Sequence, residues 1–272
     1  MKKVLVAVLS LLVAAGVAGW IQLRRFERAQ LYAPAPDITV TPAQFQLRYQ
    51  DVQFIAADGT ELRGWWIPAN RPRGTVVYCH GNAGNMGRSA RYAPEFFKRG
   101  FNLLLWDYRG FGHSGGRPTE KGLYEDARAA YAAAATMGGD VPVVVYGLSL
   151  GAAVAVQLAA DRPAAGLVVE GGFASAPDMA RRLYPNLPLD RLLSAAYDSA
   201  AKAAGLKGLP KLFGHSIQDQ VVPFQSGRIL YAAAAPPKTF ALLDGGHNDS
   251  SWFIPGAPGN AELEAFLDRF KR

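Results

Sequence analysis

Cysteine is almost absent from this 272-residue chain: Cys79 is the only one. A lone thiol excludes an internal disulfide framework and a cysteine-rich zinc site. Histidine is scarce too, with His80, His113, His215 and His247, so chemistry that needs an imidazole has few candidates. Charged residues make up 19% of the chain, and no basic stripe is interleaved with aromatics, which argues against a nucleic-acid binder. The composition is half apolar, so the chain has the apolar surface that disordered chains lack. No internal repeat is visible. The length suits one large α/β domain or two small ones and needs no covalent staples.

The basic excess is unevenly placed. Residues 1–28 hold Lys2, Lys3, Arg24, Arg25 and Arg28 against Glu27, or +4 of the whole +7. Between those charges, Val4 to Ile21 contains one polar residue, Ser10. As a helix this run spans roughly 27 Å, close to the hydrocarbon thickness of a bilayer. Trp20 sits where an interfacial ring is expected. Residues 1–30 therefore read as an N-terminal membrane anchor. The alternative is a signal segment cleaved near Val17-Ala18-Gly19, with the domain exported. The run is longer than the usual signal core, which favours the anchor. The flanking charges nearly balance, so the membrane side of the domain stays open. Residues 31–50, with Pro34, Pro36 and Pro42, read as a tether.

Residues 51–272 read as one folded domain. A hairpin is expected over Val52–Ile67 with its turn at Asp58-Gly59. Short apolar strands then alternate with helices: Thr75–Cys79, a helix over Ser89–Arg99, Phe101–Trp106, a helix over Thr119–Thr136, Pro142–Tyr146, a helix from Leu150, Gly166–Glu170, Lys211–Phe213 and Lys238–Leu243. This alternation predicts an α/β fold, a mostly parallel central sheet with helices on both faces. Such sheets carry their chemistry beyond the carboxyl ends of the strands. The stretch from about 173 to 208 is too long for a plain crossover. It reads as a small helical cap whose apolar underside draws on Met179, Leu183, Tyr184, Leu187, Leu189, Leu192, Leu193 and Tyr197.

Gly147-Leu148-Ser149-Leu150-Gly151 follows a strand and opens a helix. The bare G-x-S-x-G pattern is weak, but this strand–turn–helix setting is the one a nucleophile elbow requires. The turn is tight, so Gly147 and Gly151 supply the small neighbours. A serine hydroxyl needs a base, and in this chain order the acid and then the histidine follow the serine. His247, in a glycine-bearing loop after the last strand, is the candidate base. Asp219 is the candidate acid, with Glu170 as competitor. The oxyanion donors expected are the N–H of Leu150 and that of Asn82 in His80-Gly81-Asn82-Ala83-Gly84-Asn85, with Ala83 as neighbour candidate. His80, Asp107 and Arg109 read as structural. The 80–85 loop lacks the Lys-Ser/Thr of a phosphate-binding P-loop.

Read in order, H-G-N-A-G-N, D-Y-R-G-F-G-x-S-x-G, G-x-S-x-G, D-x-x-V-P and G-x-H-N resemble the α/β-hydrolase superfamily. More narrowly they resemble its small-cap, membrane-anchored branch, with the bud-emergence-type hydrolases and protein depalmitoylases. The resemblance runs from about Asp51 to the C-terminus. It implies a serine hydrolase with Ser149, Asp219 and His247 as triad and Asn82 and Leu150 as oxyanion donors. One departure is His215-Ser216, where the family often has His-Gly before the acid loop.

The expected activity is cleavage of a carboxylic ester or thioester through an acyl-serine, with no metal or organic cofactor. The substrate would be a small or acylated molecule, and the membrane the one expected partner. The alternatives are a serine aminopeptidase or amidase on the same triad, and a non-catalytic membrane-bound scaffold.

Overall fold

The alternation of buried strands and helices resolves, in a computed structural model that describes residues 1–270, into one eight-stranded sheet. Its strands are β1 (Gln50–Ile55), β2 (Glu61–Ile67), β3 (Gly74–Cys79), β4 (Phe101–Trp106), β5 (Val143–Leu148), β6 (Gly166–Glu170), β7 (Lys211–Ser216) and β8 (Lys238–Leu243). The spatial order is β1-β2-β4-β3-β5-β6-β7-β8. β1, β2 and β4 pair antiparallel, and every pairing from β4 to β8 is parallel. The central strands β3, β4 and β5 are buried at every residue, as strands covered on both faces must be. The expected hairpin and α/β architecture are present.

The helices are α1 (Lys2–Leu31), α2 (Ala93–Lys98), α3 (Glu120–Gly138), α4 (Leu150–Asp161), α5 (Ala176–Leu183), α6 (Ser199–Gly205), α7 (Phe224–Ala233) and α8 (Asn260–Leu267). Leu123, Ala127, Val154, Ala203 and Leu230 place α3, α4, α6 and α7 in one core layer. Phe96, Leu263 and Phe266 place α2 and α8 in the other. The Thr119 hydroxyl caps α3 by accepting from the Gly122 N–H at 3.1 Å.

Three segments differ from the sequence reading. The helix expected over Ser89–Arg99 is a 3-10 stretch, Met86–Tyr92, followed by the short α2. Pro94 sits in the first turn of α2, where its missing N–H costs nothing, so the α-helix starts there. The expected cap divides. α5 and a 3-10 turn over Pro188–Arg191 lie over the strand ends, but α6 packs on α4 and α7 as part of the helical layer. Finally, residues 31–50 are not a free tether. Ala33–Pro34 pairs in parallel with Ala83–Gly84, and Asn85 Nδ2 donates to the carbonyls of Ala35 and Asp37 at 3.0 and 2.9 Å. Prolines keep this segment extended, and its backbone groups find partners on the domain surface.

Beneath the strand ends, Arg109 forms a buried ion pair with Asp126. Its backbone N–H, Nε and Nη2 reach the carboxylate at 2.8, 3.0 and 2.8 Å, and Nη1 reaches Asp58 at 2.7 Å. Asp126 is fully buried, whereas the Asp58 side chain is half exposed. Asp126→Ala would leave the Arg109 backbone N–H and Nε without their acceptor, with only Asp58 still on the guanidinium, and should cost about 3 kcal/mol, the lower end of the loss from breaking a buried pair. Asp58→Ala should cost under about 1 kcal/mol, as at an exposed pair. Denaturation of the full chain in detergent micelles checks the contrast.

Candidate active site

The turn between β5 and α4 is built by two close approaches. A Cβ on Gly151 would lie 2.0 Å from the Cys79 carbonyl oxygen, and one on Gly147 would lie 2.3 Å from the Gly151 carbonyl oxygen. Only glycine allows the first turn of α4 to come this near the end of β3. Between them Ser149 takes φ +57° and ψ −120°, a strained conformation for a residue with a side chain. Its N–H donates to the Glu170 carbonyl at 2.9 Å, which ties the turn to β6. Leu150 is the first residue of α4, so its N–H has no intrahelical acceptor and points from the positive end of the helix dipole.

His247 and Asp219 come together from two loops. His247 Nδ1 lies 2.6 Å from Asp219 Oδ2. A nitrogen this close to a carboxylate oxygen carries the proton, which leaves Nε2 as the acceptor. The loops are joined to each other: Ser216 Oγ donates to the Gly245 carbonyl at 2.6 Å, and the Gly245 N–H donates to Gln218 Oε1 at 3.0 Å. The departure at Ser216 thus has a structural use, since a glycine there could not cross-link the loops. Asp249 accepts from the Gly246 N–H and closes the turn that carries His247.

Asp219 also faces a second imidazole, which the sequence reading missed. His215 Nε2 lies 3.3 Å from the same Oδ2 and 3.0 Å from the Val222 carbonyl. Burial alone would raise the Asp219 pKa. Hydrogen bonds from His215 and His247 more than offset it and hold the carboxyl well below the usual carboxylate range. The available signal was the spacing of four between His215 and Asp219 at the end of a strand. Glu170, the competitor, is buried against the Tyr146 hydroxyl, and desolvation raises its pKa. It does not contact the His247 ring nitrogen that Asp219 holds.

Ser149, His247 and Asn82 line one cavity of about 550 Å³, together with Arg88, Arg91 and Asn248. Ser149, Asn82 and Leu150 also line a second, apolar cavity of about 230 Å³ under Phe173, Met179, Leu183 and Leu193. The two chambers meet at the serine. Of the expected cap residues, Tyr184 and Leu189 also reach the apolar chamber. Leu187 and Leu192 instead face solvent, and Tyr197 is buried against Tyr32. The loop with Asn82 is braced from below. Asp107 Oδ1 accepts from the Met86 N–H at 2.6 Å and lies 3.3 Å from His80 Nε2, and the Tyr108 hydroxyl donates to the His80 carbonyl at 2.9 Å. His113 lines a separate cavity beside Asp51 and Trp65. Burial pushes the Cys79 thiol up, so it is no thiolate nucleophile. Among the described residues, no group of three or more His, Cys, Asp or Glu is arranged to hold a metal ion.

Comparison with known proteins shows the family and the fold. Residues 70–196 match the family described as serine aminopeptidase, S33. The chain is 30% identical to the α/β hydrolase domain-containing protein WAV2 of Arabidopsis thaliana, over 88% of this chain and 87% of that one. The chain belongs to the α/β-hydrolase superfamily. Protein bem46 of Schizosaccharomyces pombe is 32% identical over 77% of this chain and 74% of its own length. The fold of this α/β hydrolase is also that of the Pyrococcus furiosus esterase Pf2001. That match has a TM-score of 0.71 at 21% identity and covers 88% of this chain and 98% of the esterase.

The low pKa of Asp219 has a consequence for acid stability. Its folded value lies below the unfolded one, so its contribution is complete above the unfolded value of about 4 and is lost as pH falls below it. The melting temperature of the wild type should therefore fall more steeply below about pH 4 than that of Asp219→Asn, which has no carboxyl to titrate.

Proposed function

We propose that this α/β hydrolase is a membrane-anchored serine hydrolase that cleaves carboxylic esters or thioesters through an acyl-serine intermediate. The observation that carries the reading is a strained serine at a helix N-terminus that shares a cavity with a histidine held by a carboxylate. Ser149 Oγ attacks the acyl carbon while His247 Nε2 takes its proton. Asp219 holds the ring through Nδ1–H and stabilises the imidazolium that forms. The N–H groups of Leu150 and Asn82 receive the charge that develops on the carbonyl oxygen. The carbonyl re-forms, the C–O or C–S bond breaks, and His247 returns the proton to the leaving alcohol or thiol. Water, deprotonated by His247, then releases the acid and regenerates Ser149. The acyl group occupies the apolar chamber and the leaving group the polar one. For the anchor, α1 is long and apolar enough to cross a membrane, and the side chains of its first five turns are exposed.

The family description favours a second reading, a serine aminopeptidase on the same triad. Such an enzyme needs a carboxylate for the substrate ammonium. Glu170, the obvious candidate, is buried on Tyr146. The polar chamber presents Arg88 and Arg91 instead, and Glu27, the one carboxylate among the described residues that line the apolar chamber, is already engaged by backbone N–H groups. These contacts support the ester reading.

A fluorophosphonate probe should label the wild type and fail to label Ser149→Ala. Asp219→Asn should lower kcat for p-nitrophenyl acetate by about 10⁴-fold, the loss seen when a triad imidazole is held in the wrong tautomer. Equal labelling of wild type and Ser149→Ala would overturn the nucleophile, and faster turnover of aminoacyl anilides than of acyl esters would favour the peptidase.

A further inference from the structure

The end of α1 does not merely leave the apolar segment. Its last two turns lie against the cap through contacts of several kinds. Phe26 packs edge-on against Tyr184, with ring centroids 5.9 Å apart. Gln30 Oε1 accepts from the Tyr184 hydroxyl at 3.1 Å. Just beyond the helix, the hydroxyls of Tyr32 and Tyr197 are 2.7 Å apart and buried.

Glu27 is the centre of this contact. It is 4% exposed and is the one buried residue of a helix whose other side chains are exposed or half-buried. One carboxylate oxygen accepts from the N–H groups of Ser194 and Ala195 at 2.7 and 2.8 Å, and the Ser194 hydroxyl donates to the other at 2.9 Å. Arg24 pairs with the same carboxylate and donates to the Leu192 carbonyl. The next two N–H groups, of Ala196 and Tyr197, go to Glu120 at the start of α3, at 2.7 and 2.8 Å. Four consecutive amides of the returning cap are thus held by two carboxylates, one from the sheet's own helical layer and one from α1. Buried carboxylates that accept several charge-assisted bonds fix geometry strongly, because leaving the charge unpaired is costly.

The apolar chamber lies behind this latch. Phe26 and Leu31 of α1 line it beside Phe173, Met179, Leu183 and Leu193 of the cap, with Ser149 on its floor. Phe26 is five residues beyond Ile21, where the apolar run ends, a rise of about 7.5 Å. With α1 in a bilayer, the chamber sits at headgroup depth.

We infer that the membrane helix is a specificity element of the site: Phe26 and Leu31 form a wall of the acyl chamber, and Glu27 is a positioning residue that latches the cap over it. The class of substrate this selects is an ester or thioester of a long, apolar acyl chain rather than an acetyl group. The inference rests on Ser149 as nucleophile.

The test uses the full chain in detergent micelles with p-nitrophenyl acetate and p-nitrophenyl dodecanoate. Phe26→Trp narrows the chamber and should lower the dodecanoate-to-acetate ratio of kcat/KM by about tenfold or more, the discrimination a filled apolar pocket gives. Glu27→Ala should lower the same ratio by raising KM for dodecanoate, and Glu27→Gln, which keeps an acceptor for the two N–H groups, should restore part of it. Fluorophosphonate labelling of Ser149 in each variant reports the catalytic centre separately. Ratios within twofold of wild type in Phe26→Trp and Glu27→Ala, with labelling retained, overturn the inference. A Glu27→Ala chain that fails to fold leaves Phe26→Trp to decide alone. A wild type that neither labels nor hydrolyses acetate overturns the nucleophile itself.

Discussion

The nearness of the first turn of α4 to the end of β3 governs much of this molecule. Gly151 has no room for a methyl group against the Cys79 carbonyl, and Gly147 has none against α4 itself. That contact throws Ser149 into a positive φ and lifts its hydroxyl to the mouth of the sheet. It also sets what must surround the turn. β6 has to present the Glu170 carbonyl to the Ser149 N–H, and the two loops after β7 and β8 have to bring Asp219 and His247 to the same mouth. The strain is local, and it is offset by a fully buried set of central strands that leaves the turn no alternative path.

A second layer of order comes from polar groups that reach across the sequence to hold backbone. Asn85 gathers the carbonyls of Ala35 and Asp37, Asp107 takes the Met86 N–H, and Ser216 bridges to Gly245. Glu27 and Glu120 do the same for the amides from Ser194 to Tyr197. In each case a polar side chain satisfies main-chain groups of a connecting segment or of the first residue of a 3-10 turn. Loops at a catalytic mouth gain rigidity this way without burying a large apolar surface.

How much of this was visible in the sequence follows the range of the interactions. The strands, the elbow and the alternation of helix and strand are local patterns, and TVVYC, FNLLLW and the G-x-S-x-G turn declare them directly. Asp219 beside His247 was legible because both sit in loops after identifiable strands. His215 was not, since its ring reaches the carboxylate only after β7 is in place. The Pro-rich stretch after Leu31 carries the composition of a linker, and nothing local says that Ala33–Pro34 finds a partner fifty residues on. Glu27 looked like one more charge in a basic flank. Its role depends on amides 167 and 168 positions away, a separation no periodicity can signal.

The pairing of Ala33–Pro34 with Ala83–Gly84 also removes slack. Two residues after α1 ends, the chain is already fastened to the loop that carries Asn82. A hydrolase on a long leash sweeps a hemisphere above its membrane and meets whatever floats there. This body is bolted to its mast. If α1 spans a bilayer, as proposed above, the freedom of the body reduces to rotation about that helix and the tilt that the lipid allows. The mouth beside Phe26 then traces a ring at constant height, and the height above the lipid becomes a property written in the length of α1.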